Sequence, residues 1–100
     1  MSKPNAKHMN GLNRVVHEPA RLAILKILSA AEEADFTFLL TVLGLTKGNL
    51  ATHMNSLEAA GYIEISKEFV GKVPHTTYRI TKLGRREFEK HWKHLMRFAP

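Results

Sequence analysis

Apolar residues fall on helical spacing from residue 12 onward. Leu12, Val15 and Val16 make a short apolar face, and beyond Pro19 the positions Leu22, Leu25 and Leu28, widened by Ile24 and Ile27, make a second. Pro19 stands where the first turn of a helix tolerates proline, because the missing N–H would have had no partner there. The acidic stretch Glu32, Glu33 and Asp35 closes that helix, Thr37 is a candidate cap for the next, FTFLLTVL, and Gly44 stops it. Thr46 is the natural cap of a third helix, TKGNLATHMNSLEAAG, in which Leu50, Met54 and Leu57 recur at four and three residues before Gly61 terminates it. The period then changes. YIEIS alternates Ile63 and Ile65 with Tyr62, Glu64 and Ser66, and TTYRIT repeats that alternation over 76–81, which predicts two strands. The stretch between them, KEFVGKVPH, contains Gly71 and Pro74 and predicts a hairpin with a basic loop. A last helix runs from Thr81, with Phe88, Trp92, Leu95, Met96 and Ala99 on one face and Arg86, Lys90, Lys93 and Arg97 on others.

These elements predict an α+β fold that is mainly α, with a two-stranded hairpin and a C-terminal helix. A chain of 100 residues, 44% apolar, closes one small core, so residues 10–100 are expected to form a single domain behind a flexible polar arm over 1–9. Fifteen Lys and Arg against nine Asp and Glu give a net charge of +6, which favours polyanionic partners. The absence of cysteine excludes disulfides, thiolate metal sites and cysteine nucleophiles, and fits a cytoplasmic protein. No apolar run is long enough to cross a membrane, so no membrane partner is expected. With one Asp, no glycine-rich phosphate loop after a strand and no Ser at a tight strand-to-helix turn, the common nucleophilic and nucleotide-dependent chemistries have no carriers. We therefore expect neither an enzyme nor a cofactor.

The two short helices joined at Gly44 form a helix-turn-helix, whose second member enters the major groove when such a unit binds double-stranded DNA. With Leu50 taken as the inward direction, Gly48, Thr52 and Asn55 point outward, flanked by Asn49, Ala51 and Ser56. These small, amide and hydroxyl side chains can reach base edges and phosphates without holding the helix off the groove. From Phe36 to Leu57 there is no acidic residue, whereas an ordinary solvated face mixes Glu with Lys. Lys67, Lys72 and His75 give the hairpin cations that can lie along the backbone or minor groove.

The stretch LTKGNLATHMNSLEAAGYIEISKEFVGKVPHTTYRITKLGRREFEKH resembles the MarR/ArsR-type winged helix-turn-helix transcriptional regulators, most of all a compact subgroup reading roughly LTxGNLxxHxxxLExAGYI, then a basic hairpin and TTYxLTxxGR. The likeness spans residues 20–91. It implies a homodimeric DNA-binding regulator, with Thr46, Lys47, Gly48, Asn49, Thr52, His53 and Asn55 at the DNA, Lys72 and His75 serving the wing, and the terminal helices making the dimer. Two departures from the pattern stand out, one in the wing and one in the second helix. Such regulators often carry Arg where this chain has Val73 and His75, and polar residues where it has Phe38 and Leu40.

The stripe on the last helix runs nearly to the C-terminus, beyond what a domain this small covers, so Phe88, Trp92, Leu95 and Met96, packed with Leu12, Val15 and Val16, are expected at a two-fold interface. Glu87, His91 and His94 share a face of the same helix and are a weak candidate metal set, weighed against an ordinary solvated face. His53, at the edge of the apolar stripe, reads as a packing or phosphate-orienting residue. A different class of function remains open: a winged helix that docks a protein through FTFLL or the last helix and binds no DNA. A small-molecule effector is compatible with the sequence and not indicated by it.

Overall fold

A computed structural model describes residues 13–98; the arm expected over 1–9, Leu12 and Ala99 lie outside the described residues. Residues 14–16 form a turn rather than a helix, fixed by the Asn13 carboxamide, whose Oδ1 accepts from the N–H groups of Val15 (3.0 Å) and Val16 (3.2 Å). Helix α1 follows at Pro19–Ala30, with proline in its first turn and Glu18 as its cap, accepting from Arg21 N at 2.8 Å. Ile24, Leu25 and Leu28 form its buried stripe.

Helix α2 (Phe36–Leu43) is capped by Asp35, which accepts from Phe38 N at 2.7 Å, and not by Thr37 as the sequence suggested. Gly44, at φ 65°, ends it by donating its N–H to the Leu40 carbonyl. Thr46 caps helix α3 (Lys47–Ala59) as expected, accepting from Asn49 N at 3.1 Å, and α3 buries Leu50, Met54 and Leu57.

The sheet has three strands where two were expected. Strand β1 (Ala34–Asp35) pairs with β3 (Val73–Ile80), and β3 pairs with β2 (Ile63–Val70), giving the antiparallel order β1-β3-β2. Two residues are too few to display alternation, so β1 leaves no mark in the sequence. The basic loop expected between the strands is also replaced. β2 and β3 stay in register up to Val70↔Val73, and the turn is only Gly71 (φ 65°) and Lys72. Phe69, Val70 and Val73 favour extended backbone. Pro74 is tolerated opposite Phe69 because the pair next to the turn-flanking one exchanges no ladder hydrogen bonds.

Helix α4 (Lys82–Met96) is tied to the foot of this hairpin. The Thr81 hydroxyl accepts from Gly84 N (2.9 Å) as its cap and donates to the Gly61 carbonyl (2.7 Å), while Thr81 N donates to the Tyr62 carbonyl (3.0 Å). A Cβ at Gly84 would fall on that same Tyr62 carbonyl, so the close approach requires glycine. From there α4 packs back on α1, where Arg85 donates to the Ser29 carbonyl at 3.0 Å. The core they enclose unites Val16, Ile24, Leu25, Leu28, Leu39, Leu50, Met54, Leu57, Ile63, Tyr78 and Phe88. No helix among the described residues is long and apolar enough to cross a membrane.

Candidate nucleic-acid interface

One side of the molecule is built from α3 and one face of the hairpin. Leu50, Met54 and Leu57 anchor α3 to the core, which leaves Lys47, Gly48, Asn49, Thr52 and Asn55 exposed, together with the capping Thr46. Nothing lies within 4 Å of a Cβ built on Gly48, so the backbone there is open to close approach. Thr52 donates its hydroxyl to the Gly48 carbonyl at 3.0 Å, which fixes its rotamer and leaves the oxygen as an acceptor.

Alternation along the strands sorts the hairpin into two unlike faces. Ile63, Ile65, Lys67 and Phe69 of β2 share a face with Pro74, Thr76, Tyr78 and Ile80 of β3. Between this face and α3 runs a groove of about 310 Å³ bordered by Ala51, Asn55, Lys67 and Thr76, with buried Met54 and Tyr78 among its walls. Burial, and secondarily the Glu58 carboxylate, pushes the Tyr78 phenol up, so it stays neutral there. The opposite face is acidic: Glu64 and Glu68 line it with Glu33 and Glu58, around Arg79, which donates to Glu33 at 3.1 Å.

This division distributes the predicted residues unevenly. Thr46, Lys47, Gly48, Asn49, Thr52 and Asn55 share the α3 side with Lys67, while Lys72 stands at the tip of the hairpin. His75 belongs to the acidic face, opposite Glu68 in the ladder, away from α3. His53 is turned back toward the cap of α1, its Nε2 3.8 Å from the Glu18 carboxylate and its Nδ1 buried without a partner. Thr76 was missed. Continuing the TTYRIT alternation puts it beside Tyr78 and Ile80, on the groove side.

The residues assigned to a dimer interface also divide. Phe88, 4% exposed, and Val16, fully buried, belong to the protomer's own core, and Val15 packs partly against it. Trp92 and Met96 are exposed and Leu95 half-buried, joined by Phe98 at 74% exposure, which the sequence reading left out. Lys26 covers one side of the Trp92 ring, 5.3 Å from its centre. On α2, Leu40 packs against the core, whereas Phe38 stays half-exposed and is joined by Val42.

Glu87, His91 and His94 do not converge. His91 is 1% exposed and lies against His17, its Nε2 3.1 Å from His17 Nδ1. Glu87 accepts from the Asn13 carboxamide at 3.2 Å, and His94 meets the Phe98 ring edge-on. Among the described residues no three His, Asp or Glu side chains are grouped to hold a metal ion. Asn13 N–H makes a long bond (3.5 Å) to His91 Nδ1, so Nδ1 accepts and Nε2 carries the proton donated to His17. Burial first, then His17 and His94, holds the His91 imidazole below the usual histidine range.

Residues 20–99 match the family model described as a winged helix DNA-binding domain. An uncharacterized protein of Methanocaldococcus jannaschii is 32% identical over 78 residues, which cover 78% of this chain and 85% of that protein. Among solved structures, that of a transcriptional regulator homologue from Pyrococcus horikoshii superposes with a TM-score of 0.81 at 28% identity, over 95% of this chain and 93% of the other. The fold is also that of the transcriptional repressor CouR bound to a 23-mer DNA duplex, with a TM-score of 0.73 at 22% identity, over 88% of this chain and 61% of that one.

Proposed function

Because the chain belongs to the winged helix DNA-binding domain family, we propose that it is a sequence-specific transcriptional regulator that binds a near-palindromic site as a homodimer, with α3 in the major groove and the hairpin as its wing. The observation that carries this reading is the segregation of charge: the side formed by α3 and the Lys67 face of the wing exposes no carboxylate from Phe36 to Leu57, while Glu33, Glu58, Glu64 and Glu68 gather on the other. Such a side accepts phosphate without repulsion. Asn49 and Thr52 are assigned base or near-base contacts. Lys47, Lys67 and Lys72 are assigned to phosphates, where each contact releases counterions and adds affinity without sequence information.

Dimerisation supplies what one short helix lacks. A single α3 and wing touch few bases, whereas two half-sites about one helical turn apart multiply the readout. Trp92, Leu95, Met96 and Phe98 form the apolar surface a second copy would cover. The test is a mobility-shift titration on sites selected from random duplexes, with sedimentation of the wild type and Trp92→Glu. The expected result is a palindromic site, a steep salt slope and a folded variant that is monomeric. A folded wild type that retards no duplex at low salt removes the DNA reading, and one that sediments as a monomer removes the dimer.

A further inference from the structure

The wing ends in hydrocarbon. Phe69 is 74% exposed, Val70 65% and Val73 66%, and the last two cross-strand pairs before the turn are Phe69↔Pro74 and Val70↔Val73. Nothing among the described residues covers them. A hairpin that only clamped phosphate would carry cations and hydroxyls at these positions, and an exposed apolar strand end invites unwanted pairing unless something occupies it. The two-residue turn keeps the ladder intact to the tip, so Phe69 is presented on paired backbone and not on a loose loop.

We propose that Phe69, backed by Pro74, is an apolar wedge that enters the minor groove next to the major groove held by α3, and that it makes the wing a reader of DNA deformability; this rests on the DNA-binding reading above. Position and charge commit the wedge to that occupant. Phe69 lies on the same face as Lys67 and Thr76, which border the groove beside Asn55, so it continues the α3 side outward by about 7 Å along β2. Lys67 and Lys72 bracket it in sequence with positive charge, whereas Glu68 points to the opposite face. A planar ring on a strand end that carries a cation before it and another at the turn suits a stack of bases between two phosphate strands. Apolar side chains of this kind unstack a base step and kink the duplex, which is easiest at flexible pyrimidine–purine steps and hardest in stiff, narrow-grooved A-tracts.

The 100-residue chain is titrated onto two synthetic duplexes of equal length, alternating d(TA)·d(TA) and homopolymeric dA·dT, at one salt concentration, by fluorescence anisotropy. The alternating duplex carries 2-aminopurine at one adenine, which brightens when unstacked. Wild type is expected to prefer the alternating duplex by about tenfold and to brighten the probe. Phe69→Ala should bind both duplexes equally and leave the probe dark, Phe69→Leu should keep most of the preference, and Lys72→Gln should weaken both duplexes alike with the ratio preserved. Circular dichroism checks that each variant is folded, which the exposure of residue 69 favours. A folded Phe69→Ala that keeps the preference overturns the wedge while leaving the DNA reading intact. A wild type that binds neither duplex overturns both. Loss of self-association in Phe69→Ala, with the duplex preference unchanged, assigns the tip to a second copy and overturns the proposal.

Discussion

Where residues 13–17 meet α4, polar groups are drawn toward the interior, His91 fully and Asn13, Tyr62 and Glu87 partly, and at the far end of the wing large apolar groups stand in water. Both places run against the ordinary sorting of side chains, yet in opposite thermodynamic senses. At the junction every inversion is answered from within the chain: the Asn13 carboxamide donates to the Tyr62 hydroxyl (2.7 Å) and to Glu87, its oxygen accepts two backbone N–H groups, and His91 is bridged to His17. At the tip nothing answers. A polar group satisfied in a poorly solvated place is a folding device, because losing one partner strands the rest. An apolar group left in water contributes nothing to folding and is available to a ligand. Side chains that stabilise the fold and side chains free for contact thus lie at opposite ends of the molecule's polarity sorting.

The largest effect is expected at Asn13. Asn13→Ala should lower the unfolding free energy by about 3 kcal/mol in a urea titration, since Tyr62, Glu87 and the 14–16 turn lose partners together. A loss below about 1 kcal/mol would mean that water replaces the carboxamide and that the junction is no more structural than the tip.

The next effect is set by pH. His91 titrates below its ordinary value of 6.5 in the folded chain, so under that pH the unfolded chain takes up a proton that the folded chain resists. Stability from this group is complete above pH 6.5 and drains as pH falls toward the folded value, by at most about 1.4 kcal/mol per pH unit. Burial is the main reason, with His17 and then His94 adding to it, and the geometry agrees: with Nδ1 facing Asn13 N–H and Nε2 facing His17, a second ring proton has no acceptor. The melting temperatures of wild type and His91→Gln, followed from pH 8 to pH 5, should converge as the solution is acidified. Parallel curves would show that His91 is not the group being titrated.

The smallest effect belongs to the wing. Val70→Thr with Val73→Thr should change the unfolding free energy by no more than about 0.5 kcal/mol in the same urea titration, because threonine keeps strand propensity and neither valine is covered. A loss above about 1.5 kcal/mol would mean that the tip contributes to folding after all.

How much of this was legible in the sequence depended on how local the cause was. Gly44 and Thr46 act through their own backbone and the next few residues, so the turn between α2 and α3 and the outward face of α3 could be read directly. Strand β1 exists only because β3 offers a free edge to Ala34 and Asp35, a cause lying more than 40 residues away in the chain. Depth was equally hidden. Phe88 and Trp92 sit one turn apart on a single stripe, and only the position of α1 decides that the first is core and the second is surface. For His91 a signal was present: Gly84, Phe88, His91 and Leu95 recur at four, three and four residues, the spacing of a core stripe, and three of the four are buried. Strand alternation likewise already set Lys67 and Thr76 apart from His75.

The seam at Thr81 has a mechanical meaning. β2 begins directly after Tyr62 and β3 ends directly before Thr81, while Gly84 of α4 lies against the Tyr62 carbonyl and the Thr81 hydroxyl bridges Gly61 to the first turn of that helix. With hydrogen bonds on both sides and no room for a methyl group between, the seam holds no hinge. Torque applied to α4 anywhere along its fifteen residues reaches the foot of both wing strands together, and the paired ladder carries it as a rigid crank to the tip.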